Sequence, residues 1–295
     1  MDRRQFGRAA AALAVAGPVA HALAWDDSAQ KSWARKWQAI EARVGGRLGV
    51  AVLDTGDGAL VGHRLDERFA MCSTFKALVA GLVISRVGSG QEHLDRRIAI
   101  APADLLEWAP ETRKHVGMTM SVGELCEAAI TVSDNTAANL LLAGVGGPAA
   151  VTAFVRTLDD AVTRLDRYEP ALNDVAPGDP RDTSTPRAMA GTLRALALGD
   201  ALPAAGRARL VAWMTATTTG AERLRAGLPT GWRLAHKTGT GDGIANDMGV
   251  LWPPHRTPLV VVSYLADCQA PADARDRALA DVARAIAGAS WTPAA

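Results

Sequence analysis

Ser73 and Lys76 lie three residues apart at the start of an apolar stretch of the sequence. One helical turn would place the lysine amine beside the serine hydroxyl, where it can take up the hydroxyl proton. The chain has five lysines against 27 arginines. Because arginine cannot give up its proton in proteins, a lysine at position 76 favours a chemical role. The pattern predicts a nucleophilic serine, and the alternative is that Ser73 caps the N-terminus of a helix.

A polar triplet, Ser133-Asp134-Asn135, interrupts an apolar helical region further along the chain. Polar groups in such a position need hydrogen-bonding partners, because burying them unpaired is costly. We interpret the triplet as part of the same site as Ser73. The alternative is an N-cap for the helix that follows.

A third group, Lys237-Thr238-Gly239-Thr240-Gly241, follows a strand-like run near the end of the chain. The glycines would let a substrate lie close against the strand, because they carry no side chain. The two threonines offer hydroxyl groups and the lysine offers a charge. The alternative is a simple hairpin turn.

The elements that would position these groups follow from hydrophobic periodicity and turn residues. Strand patterns occur toward both ends of the chain, and helical patterns occupy the middle. This order predicts one antiparallel sheet built from both ends and surrounded by helices. Residues 166–186 form a long irregular stretch containing four prolines, and loops of that length are usually functional or disordered. The predicted strands are 48–53, 59–64, 233–238, 247–252 and 258–264, and the predicted helices include 73–86, 151–158, 186–198, 205–214 and 272–287.

Composition excludes several classes of protein. The chain has 295 residues, 48% of them hydrophobic, which is enough for a sizeable core. A net charge of +1 gives no electrostatic indication of a nucleic acid or an anionic membrane as partner. Three cysteines without a C-x-x-C motif exclude a disulfide-stapled mini-fold, and at least one thiol stays free. The six histidines form no paired zinc motif, so we expect no metal and no cofactor.

Residues 1–24 are typical of an export signal. An R-R-x-F run at Arg3 and Arg4 precedes an apolar stretch, and Ala22 and Ala24 have the spacing that a signal peptidase reads. The apolar stretch is too short to span a membrane. We therefore expect a twin-arginine signal peptide and an exported product without a membrane anchor, in the periplasm or secreted. The alternative for this segment is a buried N-terminal helix.

The three motifs, in this order, resemble those of the penicillin-recognising serine enzymes. Within residues 166–186, the run Arg167-Tyr168-Glu169-Pro170-Ala171-Leu172-Asn173 resembles the R-x-E-x-x-L-N element of class A β-lactamases. The resemblance covers the whole mature chain. It implies an α+β fold of the β-lactamase/transpeptidase type, with a five-stranded antiparallel sheet flanked by helices and an all-helical lobe. Residues 25–295 would form one domain, the sheet-bearing lobe from 25–66 and 216–295 and the helical lobe from 67–215.

The resemblance implies hydrolysis of penicillins and cephalosporins, and hence β-lactam resistance, through an acyl-enzyme on Ser73. The backbone N–H groups of Ser73 and Thr240 would form the oxyanion hole. Glu169 and Asn173 would hold and activate the deacylating water, and Ser133 would pass a proton to the ring nitrogen. Either Lys76 or Glu169 would deprotonate Ser73, a question that the sequence leaves open.

The resemblance also implies the residues that bind substrate. Asn135 would bind the side-chain amide, whereas Lys237 and Thr238, on the strand continued by Gly239 and Thr240, would receive the carboxylate. Arg223 would supply a second cation for that carboxylate, unless it is a solvated helix residue. Trp108 would form the wall of the entrance, unless it is a half-buried packing residue.

Further implications concern the 166–186 segment. Arg167 would pair with Asp182 to hold this segment, and the Glu169–Pro170 bond would be cis.

The chain departs from the family at several positions. Ala80 and Gly241 stand where some members have cysteines, so Cys126 and Cys72 lack those disulfide partners, and without the second disulfide we do not expect carbapenem turnover. His236 replaces a frequent aspartate, and the connection from Gly241 to Asn246 is short.

We expect a monomer. The alternatives are a D,D-peptidase, which should lack Glu169 and Asn173, and a penicillin sensor that stays acylated.

Overall fold

The computed structural model describes residues 27–289. The predicted signal peptide, residues 1–24, therefore lies outside the described residues. The described chain contains a five-stranded antiparallel sheet in the order β2-β1-β9-β8-β7 and two small two-stranded sheets, β3 with β6 and β4 with β5. The strands are β1 Arg47–Asp54, β2 Leu60–His63, β3 Phe69–Ala70, β4 Arg97–Ala99, β5 Thr119–Ser121, β6 Thr183–Ser184, β7 Arg233–Gly241, β8 Ile244–Trp252 and β9 Leu259–Ala266.

Eight helices complete the described fold. They are α1 Asp27–Val44, α2 Phe75–Gly88, α3 Val122–Thr131, α4 Asn135–Gly144, α5 Pro148–Arg156, α6 Pro186–Ala197, α7 Ala204–Thr215 and α8 Ala272–Ala287. Helices α1 and α8 share one buried apolar cluster with residues of the sheet, whereas α2 to α7 contribute to a second, larger one. The sheet is thus covered on both faces, which explains why every residue of β9 is buried.

Helix α2 is the central helix of the larger cluster. Its first ten residues, 75–84, are all buried. A helix that is buried all round must be surrounded by other elements, and α2 therefore carries hardly any polar residues. Lys76 is the exception within that buried run, and it is fully buried. A buried ammonium group requires compensating partners, which the site provides.

The predicted sheet from both ends of the chain is confirmed, with some corrections to its elements. The predicted helix 73–86 begins two residues later, at Phe75, because residues 72–74 form a separate 3-10 turn. Strand β8 begins three residues earlier than predicted, so only Asp242 and Gly243 remain between β7 and β8. The irregular segment 166–186 contains the 3-10 turn Ala171–Asn173 and the short strand β6. Helix α1 was not predicted from the sequence.

Candidate active site

The Ser73 hydroxyl group and the Lys76 amine are direct neighbours. Ser73 lies in the 3-10 turn immediately before α2, and Lys76 Nζ donates a hydrogen bond of 2.9 Å to Ser73 Oγ. The N-cap of α2 is Thr74, which makes no side-chain capping bond. Ser73 Oγ instead donates to Glu169 Oε1 over 3.2 Å. The helix-capping alternative for Ser73 is therefore wrong, and its hydroxyl group lies between an amine and a carboxylate.

Burial lowers the pKa of the Lys76 amine, because desolvation disfavours its charged form. The Glu169 carboxylate, with Oε1 at 3.2 Å from Lys76 Nζ, opposes this shift by stabilising the charge. Burial also lowers the pKa of Lys237 well below its usual value, and repulsion from Lys76 adds to the effect. The lowered pKa makes the Lys76 amine easier to deprotonate than a solvated lysine, which favours a part in proton transfer.

The Glu169 carboxylate is fully buried and has a partner on each oxygen. Asn173 Nδ2 donates to Oε2 over 2.6 Å, while Oε1 faces Ser73 and Lys76. The Glu169–Pro170 peptide bond is cis, as the resemblance implies. A carboxylate within hydrogen-bonding distance of a serine hydroxyl has the geometry that general-base catalysis requires.

Asn139, on α4, holds the backbone of Glu169. Its Nδ2 donates to the Glu169 carbonyl and its Oδ1 accepts from the Glu169 N–H, both over 2.9 Å. The sequence analysis missed this residue. Its spacing of four from Asn135 could have revealed it, because residues four apart share a helix face.

The expected ion pair of the 166–186 segment is present. Arg167 Nε donates to Asp182 Oδ2 over 2.5 Å, and Asp182 is fully buried. Asp182 Oδ1 also accepts the backbone N–H groups of Asp166 and Arg167. One buried carboxylate thus fixes the start of the segment to its end, and Glu169 lies between them.

The Ser133-Asp134-Asn135 triplet lies at the turn between α3 and α4. Ser133 has a positive φ of 58°, a conformation that non-glycine residues seldom adopt and that directs its side chain into the cleft. Ser133 Oγ accepts from Lys76 Nζ at 3.3 Å and from Lys237 Nζ at 3.0 Å. Asp134 is the N-cap of α4, so the capping alternative holds for that residue. Asn135 Oδ1 accepts from Lys76 Nζ over 2.5 Å, which makes Asn135 part of the site.

Strand β7 passes close to the nucleophile. A Cβ at Gly239 would come within 2.7 Å of the Met71 carbonyl and 3.2 Å of Ser73 N, so only glycine lets β7 approach the backbone before α2 this closely. The hairpin-turn alternative is wrong, because Lys237, Thr238, Gly239 and Thr240 all belong to the strand. Asn246, which the sequence analysis missed, reinforces this contact by donating to the carbonyls of Ala70 and Met71.

Arg223 is buried and donates hydrogen bonds to two residues of β7. Its Nη1 donates to the Gly239 carbonyl over 2.9 Å and its Nη2 to Thr240 Oγ1 over 2.8 Å. Asp276 accepts from its Nε over 2.7 Å. The solvated-helix alternative is wrong, because 7% of Arg223 is exposed and it lies outside the helices. The guanidinium group therefore supports the positive potential around Thr240.

Trp108 lies at the rim of the site. It is 56% exposed, and its Nε1 donates to the Val132 carbonyl, immediately before Ser133. Its own carbonyl accepts from Asn135 N. The exposure excludes the half-buried packing interpretation and fits the position expected for an entrance wall.

Between residues 27 and 289, no group of three or more His, Cys, Asp and Glu side chains is arranged to hold a metal ion. In the same part of the chain no single helix is long and apolar enough to cross a membrane, although α4 and α5 pass that test as a bent pair. All three cysteines are buried and unpaired.

The fold and the site define a serine acyl-transfer enzyme with a carboxylate placed to activate water. Residues 32–289 match the model of the β-lactamase enzyme family. The chain is 49% identical over 253 residues to β-lactamase CTX-M-8 of Citrobacter amalonaticus, an alignment that covers 85% of this chain and 87% of the relative. It is 46% identical over 288 residues to β-lactamase L2 of Stenotrophomonas maltophilia, covering 95% of each.

Solved structures agree with the family match. An ancestral class A β-lactamase superposes with a TM-score of 0.85 at 59% identity, covering 86% of this chain and 98% of that one. The chain therefore belongs to the β-lactamase enzyme family and is a class A serine β-lactamase. It is a hydrolase of the β-lactam amide bond and a resistance enzyme, and the peptidase and sensor alternatives are not favoured.

Proposed function

We propose that the residues of this site divide the hydrolysis of penicillins and cephalosporins into acylation of Ser73 and deacylation by water. Ser73 Oγ attacks the β-lactam carbonyl, and its proton passes to Lys76 or to Glu169. The backbone N–H groups of Ser73 and Thr240 stabilise the oxyanion, a contribution of about 3 kcal/mol per donor. Ser133 delivers the proton to the ring nitrogen as the amide bond breaks.

In the second step Glu169 takes a proton from water as the water oxygen attacks the ester. The proton then passes to Ser73 Oγ when the ester bond breaks, which restores Ser73 and Glu169 and releases the opened product. Asn173 orients the carboxylate and the water. Asn135 binds the substrate's side-chain amide beside the Trp108 wall. Lys237, Thr238 and Thr240, all on β7, bind the substrate carboxylate along Gly239, and Arg223 supplies a second cation.

The observation that carries this proposal is the position of the Glu169 carboxylate. It lies within hydrogen-bonding distance of both Ser73 Oγ and the Asn173 amide. A base at the nucleophile can activate water at the same atom once the serine is acylated. No observation favours a peptidase or a sensor as a second function.

We also infer that the protein is exported through residues 1–24, cleaved after Ala24 and active as a monomer in the periplasm or medium. The paired arginines, the short apolar run and the small-residue spacing support export and cleavage.

One experiment tests the proposal: intact-mass analysis of the exported protein, before and during reaction with benzylpenicillin. The free enzyme should have the mass of residues 25–295, and its native mass should be that of one chain. A transient adduct should form on the wild type, a persistent one on Glu169→Ala and none on Ser73→Ala. Rapid clearance from Glu169→Ala would remove Glu169 from deacylation, and an uncleaved N-terminus would overturn the export proposal.

A further inference from the structure

His236 is a buried histidine that the mechanism above does not use. It lies on β7, immediately before Lys237, and has no exposed surface. Its Nδ1 is 2.8 Å from Asp247 Oδ1, and among the described residues its Nε2 has no hydrogen-bonding partner. Because a carboxylate only accepts hydrogen bonds, Nδ1 carries the proton and donates it to Asp247.

Asp247 joins His236 to the backbone beside Arg223. Its second oxygen, Oδ2, accepts from the N–H of Leu224 over 3.2 Å. Leu224 begins a 3-10 turn, and Arg223 is the residue at the N-terminal boundary of that turn. The two donors hold opposite oxygens of one fully buried carboxylate, so loss of the imidazole donor would let that carboxylate rotate away from Leu224.

Arg223 holds the side chain of Thr240 and the backbone carbonyl groups beside it. Its Nη2 donates to Thr240 Oγ1, and its Nη1 bridges the carbonyls of Gly239 and Asn246. These contacts need the guanidinium plane at one orientation, because its donors form a rigid fork. A turn that shifts at Leu224 would move that fork relative to β7.

Two glycines allow neighbouring segments to approach His236 closely. Gly249 faces His236 across the β7–β8 pairing, where a Cβ would lie 2.8 Å from the Cβ of His236. Gly220 lies on another side, where a Cβ would be 3.6 Å from His236 Cε1 and 2.4 Å from Thr238 Cγ2. The backbone of His236 therefore lies close against β8, and its ring faces the segment that leads to Arg223, with Asp247 as its hydrogen-bonding partner.

We propose that His236 is a positioning residue that sets the affinity for the β-lactam carboxylate. It acts through Asp247, Leu224 and Arg223 on Thr240, without touching the substrate. This inference rests on the proposed function of Thr240 and Arg223 as the carboxylate site.

The test compares His236→Asn with His236→Gln. The asparagine amide can occupy the place of Nδ1 and donate to Asp247, whereas the glutamine amide extends beyond it toward the position of Nε2. His236→Gln should lower kcat/KM for benzylpenicillin about tenfold with kcat within about threefold, the loss expected for one misplaced charge-assisted hydrogen bond. His236→Asn should stay within about threefold of the wild type in both constants.

Two controls separate positioning from general damage. The methyl ester of benzylpenicillin lacks the anionic carboxylate, so kcat/KM for the ester should be the same for the wild type and both variants. Val250→Ala shortens a buried side chain on β8 that faces Ala235, and it should reduce thermal stability without changing kcat/KM.

The inference is overturned if His236→Gln hydrolyses benzylpenicillin as well as the wild type does, if the ester and the parent lose activity equally, or if asparagine fails to rescue. A wild type that forms no transient adduct would instead refute the proposed function, and this inference with it.

Discussion

At the scale of single residues, the hydroxyl group of Ser133 shows how two lysines can direct one proton. Lys76 and Lys237 both donate to Ser133 Oγ. A hydroxyl group has two acceptor lone pairs and one donor hydrogen. With both lone pairs occupied by amines, the hydrogen must point elsewhere, and the open direction is the cleft. The arrangement prepares Ser133 to give a proton to the nitrogen that leaves during acylation.

Lys76→Arg tests the contribution of the amine to acylation. The change keeps a positive charge near Glu169 but removes a group that can take up a proton, because the guanidinium pKa is too high. We expect the rate constant for adduct formation with benzylpenicillin to fall by about 10²–10⁴, the usual size of a general-base contribution. Stopped-flow acylation kinetics would measure it. An unchanged rate constant would assign the deprotonation of Ser73 to Glu169.

The sequence could reveal the residues that perform chemistry more easily than those that position them. Ser73, Lys76 and Ser133 are polar interruptions of apolar runs, and such interruptions need a reason. Asn139 and Asn246 act on backbone carbonyl and N–H groups of distant segments. Helical spacing can place Asn139 on the same helix face as Asn135, but backbone partners have no side-chain identity to read, so the groups that the two asparagines bind emerged only with the fold.

At the scale of elements, the 166–186 segment is ordered by buried polar contacts rather than by regular structure. Only short elements occur in it, the 3-10 turn Ala171–Asn173 and the strand β6. Asp182 closes it through Arg167, and Asn139 fixes its centre at Glu169. The prolines predicted an irregular loop, whereas the contacts that make it rigid depend on α4 and lie beyond local sequence patterns.

Asp182→Asn should loosen this segment and slow deacylation more than acylation. The change removes the charge that balances Arg167, and breaking such a pair costs about 3 kcal/mol when it is buried. Glu169 and Asn173 lie between the two ends and would lose their fixed positions, so the acyl-enzyme should accumulate. Intact-mass time courses and thermal unfolding would measure both effects.

Asp179→Asn is the matched control in the same segment. The Arg181 guanidinium lowers the pKa of Asp179 to about 2, but the Arg181 side chain is 53% exposed, so water screens this pair. Exposed ion pairs contribute little to stability, so this variant should deacylate like the wild type. Equal accumulation of adduct in both variants would contradict the special role of Asp182.

For helix α1, sequence patterns can predict the helix but not the surface against which it packs. Trp33, Trp37 and Ile40 are buried and follow helical spacing, so periodicity alone could have predicted the helix. The tryptophans stack with ring centroids 5.0 Å apart against the sheet. The partner surface, formed with α8, is distant in sequence, and only the fold shows why so large an apolar face stands at this end of the chain.

At the scale of the whole molecule, the site joins two parts of the chain that are far apart in sequence. Lys76 lies in α2, and Ser73 and Ser133 lie in the turns before α2 and α4, whereas Lys237 lies on the edge strand of the sheet. Asn246 connects the two parts, because its Nδ2 donates to the carbonyls of Ala70 and Met71 over 2.8 and 3.1 Å. Those carbonyls lie just before the nucleophile, so one buried amide aligns the sheet with the start of α2.

Asn246→Asp should therefore damage stability and catalysis together. The change replaces an N–H donor with a carboxylate oxygen facing two buried carbonyl groups, which leaves them unsatisfied and buries a charge. We expect a loss of about 3 kcal/mol in the free energy of unfolding, or about 6–10 °C in Tm, together with a lower rate of acylation. Asn246→Leu, which removes the donor without adding a charge, should lose less stability. Calorimetry of both variants would check the order, and a Tm for Asn246→Asp within about 2 °C of the wild type would show that the sheet and α2 are aligned by packing alone.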